Sequence, residues 1–273
     1  QWAGQKGIIC GMSTRFDTLP SRLREVSIEK ELAGVPCLLV RMDEKPRPFL
    51  FWMHGRTADK ELDPGRYLRC VRRGINVCAV DLPDHGQRFA NRQHHKQNIL
   101  GIIQQMSVEI QPVLDELEMQ GGFDLNRAAI GGMSAGGLTS VYHLCSPHNF
   151  KAVILEASGG EWIHLRNSDL LPHLTLEELE VVNPMNHLTS WKDVPVIAFH
   201  NKHDVRVPFE TTSDFIGALK DKSPNPEDIE LVAFERSGAP EEHMGFGRES
   251  ALVKEVQVEF LAKHLSPHME LAS

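Results

Sequence analysis

The residues best placed to do covalent chemistry lie in Ile130-Gly131-Gly132-Met133-Ser134-Ala135-Gly136-Gly137. Within it, Gly132-x-Ser134-x-Gly136 sits between a short apolar run, Arg127 to Ile130, and a helical pattern marked by Leu138, Val141, Tyr142 and Cys145. That context predicts a strand, a sharp elbow and a helix, with Ser134 lifted clear of the backbone as a nucleophile. A Cβ at position 132 or 136 would collide with the adjoining strand or helix, so the glycines belong to the same device. The competing reading is a helix start with a serine in its first turn. Gly11-Met12-Ser13 lacks the second glycine and is set aside.

A serine hydroxyl is a weak nucleophile at neutral pH and needs a base within hydrogen-bond reach, and an acid to orient that base. On an elbow of this kind the partners follow in the order serine, acid, histidine. Asp204, in His200-Asn201-Lys202-His203-Asp204-Val205-Arg206-Val207-Pro208, stands just past the end of an apolar strand pattern, where open α/β sheets build their sites. Glu156, at the end of its own strand, is the alternative acid, and Asp204 has the alternative role of a cap ahead of Pro208. Of 14 histidines, His243 stands in the glycine-flanked loop after the last predicted strand. His200 and His203 share a loop with the acid, and His264 and His268 lie in or beyond the terminal helix. Charge developing on a tetrahedral oxyanion must meet backbone N–H groups; the elbow supplies Ala135, and the loop after the strand ending at Met53 supplies Arg56.

The elements that must position these residues alternate along the chain. Glu25 to Glu29 and Pro36 to Val40, turned by Gly34, predict an antiparallel hairpin at a sheet edge. Phe49 to Met53, Asn76 to Asp81, Ala152 to Leu155, Val194 to Phe199 and Ile229 to Phe234 read as buried strands. Residues 63–73, 99–117, those following Pro208, and 249–265 read as helices; in the second of these, apolar residues from Ile99 to Leu117 recur at helical spacing. The whole predicts one α/β domain over residues 1–273, with a doubly wound, mostly parallel sheet and right-handed crossovers. Residues 160–191 form an insertion, with a capping box at Thr175-Leu176-Glu177-Glu178, that is expected to cap the site. Its Trp162, Ile163, Leu165, Leu170 and Leu171 imply an apolar pocket wall, or else the insertion's own core.

Composition narrows the class. The chain of 273 residues is 41% apolar and 24% charged, enough to bury a large core, and its net charge of −8 argues against nucleic-acid binding. Its five cysteines form no CxxC pair and suggest free thiols in a reducing compartment, so a cytoplasmic location is expected. No run of about 18 apolar residues predicts a membrane span. Since the chain opens on Gln1, a removed leader stays open. No metal is expected: His94 and His95 are adjacent instead of four apart, and no H-E-x-x-H occurs. Arg88, Arg92, His94, His95 and Lys96 read as a solvated polar loop, with an anion subsite as the alternative.

Four motifs in register resemble the α/β-hydrolase superfamily over roughly residues 25–265, and within it the dienelactone-hydrolase-like and prolyl-oligopeptidase-like serine esterases. They are His54-Gly55-Arg56-Thr57-Ala58-Asp59-Lys60, Asp81-Leu82-Pro83-Asp84-His85-Gly86-Gln87-Arg88, the elbow at 132–136, and His200 to Pro208 with Asn201 in place of the usual glycine. The resemblance implies cofactor-free hydrolysis of a small-molecule carboxylic ester through an acyl-enzyme. Dienelactone hydrolases proper use cysteine, so the serine favours ester, thioester or amide acyl transfer. The short insertion points to small or medium acyl chains. A thioesterase or amidase with the same triad is the runner-up, and a non-catalytic binding module of this fold the third reading. Oligomeric state is left open, a homo-oligomer included.

Overall fold

Strands that are apolar on both faces build the centre of the molecule, described in a computed structural model over residues 15–89, 99–166, 168, 170–171 and 174–266. Cys10, Ser13, Arg92, His94, His95, Lys96 and His268 lie outside the described residues. After a short helix α1 (Ser21–Arg24), strands β1 (Ser27–Leu32) and β2 (Val35–Val40) pair antiparallel. Their turn closes on two residues because Ala33 and Gly34 both take positive φ, 48° and 78°, which suits the twist of the flanking strands.

There follow β3 (Arg47–Met53), α2 (Pro64–Arg72), β4 (Asn76–Val80), α3 (Ile99–Glu118), β5 (Phe123–Met133), α4 (Ala135–Leu144) and β6 (Ala152–Glu156). The chain continues through α5 (Leu176–Val182), β7 (Val196–Asn201), α6 (Glu210–Lys222), β8 (Ile229–Phe234) and α7 (Ser250–Leu265). Among the described residues the strands form one eight-stranded sheet in the order β1-β2-β4-β3-β5-β6-β7-β8. β2 meets β4 antiparallel, and every pairing from β4 to β8 is parallel, so the order reverses around β3 and the elbow at the end of β5 falls mid-sheet. This is the doubly wound, mostly parallel sheet with an N-terminal hairpin that the sequence predicts.

Both faces of the sheet are covered, which is why its inner strands lack a polar alternation. One face packs against α3, α4 and α6 through residues such as Ile103, Met106, Ile110, Leu138 and Phe215. The other packs against α1, α2 and α7 through Leu23, Tyr67, Cys70, Val253 and Leu261. β5 is longer than the apolar run at 127–130 suggests: it begins at Phe123 and continues through Gly131 and Gly132 to Met133, and a Cβ at Gly131 would meet the Ile154 carbonyl oxygen at 2.5 Å. Cys37, Cys70, Cys78 and Cys145 are free thiols.

In the insertion, the Thr175 and Glu178 capping box forms as the sequence signals and starts α5. Its large apolar residues serve the core more than a pocket. Trp162, Leu165, Leu171 and Leu179 are buried in the main cluster, and Trp162 stacks on Tyr142 with ring centroids 5.9 Å apart. A two-layer patch of tryptophan and leucine gains more from burial against α4 than from facing a water-filled site.

Candidate active site

The elbow holds Ser134 at φ 49° and ψ −116°, a conformation rarely adopted by residues with a side chain. Three contacts fix it there. The Ser134 N–H donates to the Glu156 carbonyl at 2.8 Å, tying the turn to β6. A Cβ on Gly132 would stand 2.4 Å from the Gly136 carbonyl carbon, and one on Gly136 would stand 2.2 Å from the Met53 carbonyl oxygen. The glycines thus allow α4 to turn back against both β5 and the end of β3.

His243 and Asp204 converge on this serine. His243 Nε2 lies 2.9 Å from Ser134 Oγ, and its Nδ1 lies 2.7 Å from Asp204 Oδ2. Asp204 Oδ1 accepts the backbone N–H groups of Arg206 at 2.8 Å and Val207 at 2.9 Å, so the carboxylate is fixed by its own loop. Burial pushes the Asp204 carboxyl upward, but hydrogen bonds from His200 and His243 outweigh it and hold the group below the usual carboxylate range. The alternative acid, Glu156, is engaged elsewhere: its Oε1 accepts from Arg66 Nη2 at 2.8 Å and from Gln257 Nε2 at 2.6 Å.

The loop that carries His243 is sharply folded, with positive φ at Gly238, Glu241, Glu242 and Gly245. The Glu242 carboxylate accepts the N–H groups of Ser237 at 2.7 Å and Gly238 at 3.1 Å, closing the turn. Asn201, which departs from the motif's glycine, donates from Nδ2 to the Glu242 carbonyl at 2.6 Å. It therefore ties the end of β7 to the histidine loop. The other histidines are placed apart. His200 is fully buried behind Asp204, with Nε2 3.3 Å from Oδ2 and 2.9 Å from the Val207 carbonyl. His203 lies 3.9 Å from Glu235, and His264 packs on Phe260.

Arg56 lies in the loop after β3, on the wall of the cavity that holds Ser134 and His243, while Ala135 is buried at the first position of α4. A Cβ on Gly55 would stand 3.6 Å from Ser134 Cβ, so this loop passes directly over the serine. His54 anchors it: the Leu82 N–H donates to Nε2 at 3.1 Å, which leaves the proton on Nδ1 to donate to the Gly55 carbonyl at 2.7 Å. Burial pushes the His54 imidazole down to about 4, and it stays neutral in this role. The second motif has a similar task. Asp81 accepts the backbone N–H groups of Lys60 and Gln87, each at 2.9 Å, and a Cβ on Gly86 would stand 2.1 Å from its Oδ1. Arg88 makes a bidentate pair with Glu109 at 2.8 Å, which commits it to α3 in place of an anion subsite.

The cavity has a volume of about 570 Å³ and is lined in part by the starts of α2 and α7. Leu62, Met133, Met244, Phe246 and Val253 give it an apolar side; Leu170 is the contribution of the insertion among the described residues. Arg66, Asp63, Glu156 and Lys254 make it polar elsewhere, and of these the sequence reading singles out Glu156 alone. Arg66 is buried, stacks 3.7 Å over the Trp52 ring, and is held by Asp63 and Glu156. Among the described residues no group of three or more His, Cys, Asp or Glu side chains is arranged to hold a metal ion. Nor is any helix there long and apolar enough to cross a membrane.

A mostly parallel sheet with an edge hairpin, and a glycine-lined serine elbow after its central strand, define an α/β hydrolase. The pattern of the prolyl oligopeptidase family, a family of the serine-hydrolase type, matches residues 68–268, and the chain belongs to that family. It is similar to Esterase YjfP of Escherichia coli (strain K12), 24% identical over 208 residues that cover 70% of this chain and 84% of that protein. Its fold superposes on TT1662 from Thermus thermophilus with a TM-score of 0.67 at 21% identity, over 88% of this chain and 98% of the other. A puromycin-hydrolyzing peptidase from Mycobacterium tuberculosis gives 0.68 at 20% identity, over 88% of this chain and 39% of that longer one.

Proposed function

We propose that this protein is a serine esterase that cleaves carboxylic esters of small to medium acyl chains through an acyl-enzyme. The observation that carries the reading is the unbroken hydrogen-bonded chain from Ser134 Oγ through His243 to Asp204, at 2.9 and 2.7 Å. In this reading His243 Nε2 takes the Ser134 proton as Oγ attacks the ester carbonyl, and Asp204 holds the imidazole tautomer and stabilises the imidazolium. The Arg56 and Ala135 N–H groups receive the oxyanion. His243 then hands its proton to the leaving alcohol, and water, activated by the same histidine, releases the acid. A cavity of about 570 Å³ suits a medium acyl chain better than an emulsified fat. The esterase name of the Escherichia coli relative points the same way.

The test is hydrolysis of p-nitrophenyl acetate, butyrate and octanoate by the wild type and Ser134→Ala, with a chelator present throughout. Turnover that survives the chelator and falls by on the order of 10⁴ in the variant supports the reading. Turnover by Ser134→Ala equal to the wild type overturns it. Activity confined to thioesters or amides would keep the triad and replace the substrate class.

A further inference from the structure

Resting on the hydrolase reading above, we infer that Glu156 is a substrate-positioning acceptor, and that the cavity selects acyl groups carrying a neutral hydroxyl or amide N–H donor close to the scissile carbonyl. Glu156 is 3% exposed, yet it lines the cavity that holds Ser134. Its Oε1 is saturated by Arg66 and Gln257 at 2.8 and 2.6 Å. Its Oε2 has no partner among the described residues and is not among the sealed polar atoms, so it is the oxygen left to the cavity. A carboxylate oxygen that faces a cavity needs a donor once a ligand displaces water from it, and an O–H or N–H on the ligand supplies one.

The position of this oxygen follows from the sheet. Met133 pairs with Glu156 across β5 and β6, and the Glu156 carbonyl accepts the Ser134 N–H at 2.8 Å. The Glu156 backbone is therefore tied to the nucleophile's turn, and its side chain lines the same cavity as Ser134. It is also held still. Arg66 Nη1 donates to Gln257 Oε1, which turns the Gln257 amide NH₂ toward Glu156. Arg66 is clamped by Trp52 and Asp63, and Asp63 in turn by Lys254 at 2.9 Å. A site fixed in this way orients what it binds without reorganising.

Charge decides which donor fits. Glu156 and Asp63 alternate with Arg66 and Lys254, so the cluster is balanced and offers an incoming cation no net negative charge. An ammonium group would lose its hydration and meet the Arg66 guanidinium beside Glu156. A neutral O–H or N–H meets a charged acceptor at lower desolvation cost.

The test measures kcat/KM for matched p-nitrophenyl esters on one enzyme preparation, so that the folded fraction cancels. The pairs are 3-hydroxybutanoate against 3-methoxybutanoate, and N-acetylglycinate against N-acetylsarcosinate, with 3-aminobutanoate as the cationic arm. The wild type is expected to prefer the donor-bearing member of at least one pair by about tenfold or more, the factor of a hydrogen bond to a charged group. The two pairs tell hydroxyl from amide. In Glu156→Gln, Arg66 holds the amide oxygen and the NH₂ turns to the cavity, so an acceptor becomes a donor and the preference is expected to vanish. Should that variant fold poorly, Glu156→Met combined with Arg66→Met removes both charges together, and the same ratio is read. A wild-type ratio within twofold for both pairs overturns the inference, as does a ratio retained in both variants or a gain confined to the ammonium ester. Ser134→Ala separates the two levels: activity lost there with the ratio unmoved by Glu156 sinks this inference alone, activity retained there sinks the hydrolase reading and this with it, and no ester turned over by the wild type sinks the esterase reading and this with it.

Discussion

Replacing Asp204 by asparagine tests the proposed orienting acid while changing little else. The asparagine keeps an oxygen for the Arg206 and Val207 N–H groups, which in the wild type bond Oδ1 at 2.8 and 2.9 Å, so the loop has reason to stay in place. Its NH₂ then faces His243 Nδ1, where the carboxylate stands at 2.7 Å. The imidazole must present Nδ1 as acceptor and carry its proton on Nε2, the tautomer that cannot take a proton from Ser134. The carboxylate's attraction for the imidazolium is lost as well. The Asp204 side chain is fully buried. For charges about 3 Å apart at an effective dielectric near 20, that attraction is about 5.5 kcal/mol, or roughly 10⁴ in rate. The expected result is a fall in kcat of on the order of 10⁴ on a p-nitrophenyl ester, with the circular dichroism spectrum unchanged. Since the Asp204 carboxyl lies below its usual range, its contribution to stability is present above the unfolded value of about 3.9 and lost as pH falls through the lower folded value. The stability deficit of the variant at pH 7 should therefore narrow in acid. A fall in kcat of less than about tenfold by a folded variant would refute the assignment of Asp204 as the orienting acid.

Three further outcomes follow from the backbone and the buried polar groups. Ser134→Gly and Ser134→Ala should both be inactive, but the glycine variant should be the more stable by about 1 kcal/mol in urea, because strain at φ 49° outweighs the entropy of glycine; equal midpoints would count against strain at the elbow. Gly136→Ala drives a Cβ to 2.2 Å from the Met53 carbonyl oxygen, backbone against backbone, and should cost about 3 kcal/mol or more, read as a Tm lower by roughly 6 °C or more. His148 has both ring nitrogens buried without partners, and burial pushes its imidazole down to about 4. The unfolded chain therefore takes up the proton first as pH drops below about 6.5, and the wild type loses stability from there down to the folded value. His148→Leu should stabilise the protein by about 1 kcal/mol at pH 7.5 and by more at pH 5, the extra discounted to about 1 kcal/mol for partial exposure; a stability difference independent of pH would show that the imidazole already has a partner in solution.

The parts of the site that the sequence made legible are those governed by local rules. The elbow is legible because only glycine fits at 132 and 136, and the strand-end loops at 204 and 243 because a parallel sheet gathers its C-terminal ends at one edge. The hairpin was readable from alternation, and the capping box of α5 from four residues. What escaped depends on pairs far apart in the chain. Arg66 meets Glu156 across 90 positions and Gln257 across 191, and nothing in the local pattern of α2 or α7 names either partner. Asn201 was visible only as a departure from a motif, since its partner is a backbone carbonyl 41 positions on.

The same distinction explains why the apolar residues of the insertion at 160–191 read equally as pocket wall or as core, and why most of those described pack into the core. Apolar composition says that a surface will be buried, not against what. In this chain α4 offers Tyr142 and α6 offers Phe215, so Trp162 and Trp191 turn inward, the latter edge-on to Phe215 at 5.3 Å. The wall of the cavity falls instead to the starts of α2 and α7, where helix ends bring Asp63, Arg66, Ser250 and Lys254 beside Leu62 and Val253. A pocket walled by helix starts carries charges that must neutralise one another, as Lys254, Asp63, Arg66 and Glu156 do in sequence. Selectivity in such a pocket comes from the one acceptor the chain of charges leaves over, so substrate preference should respond to changes at Glu156 before changes in the insertion.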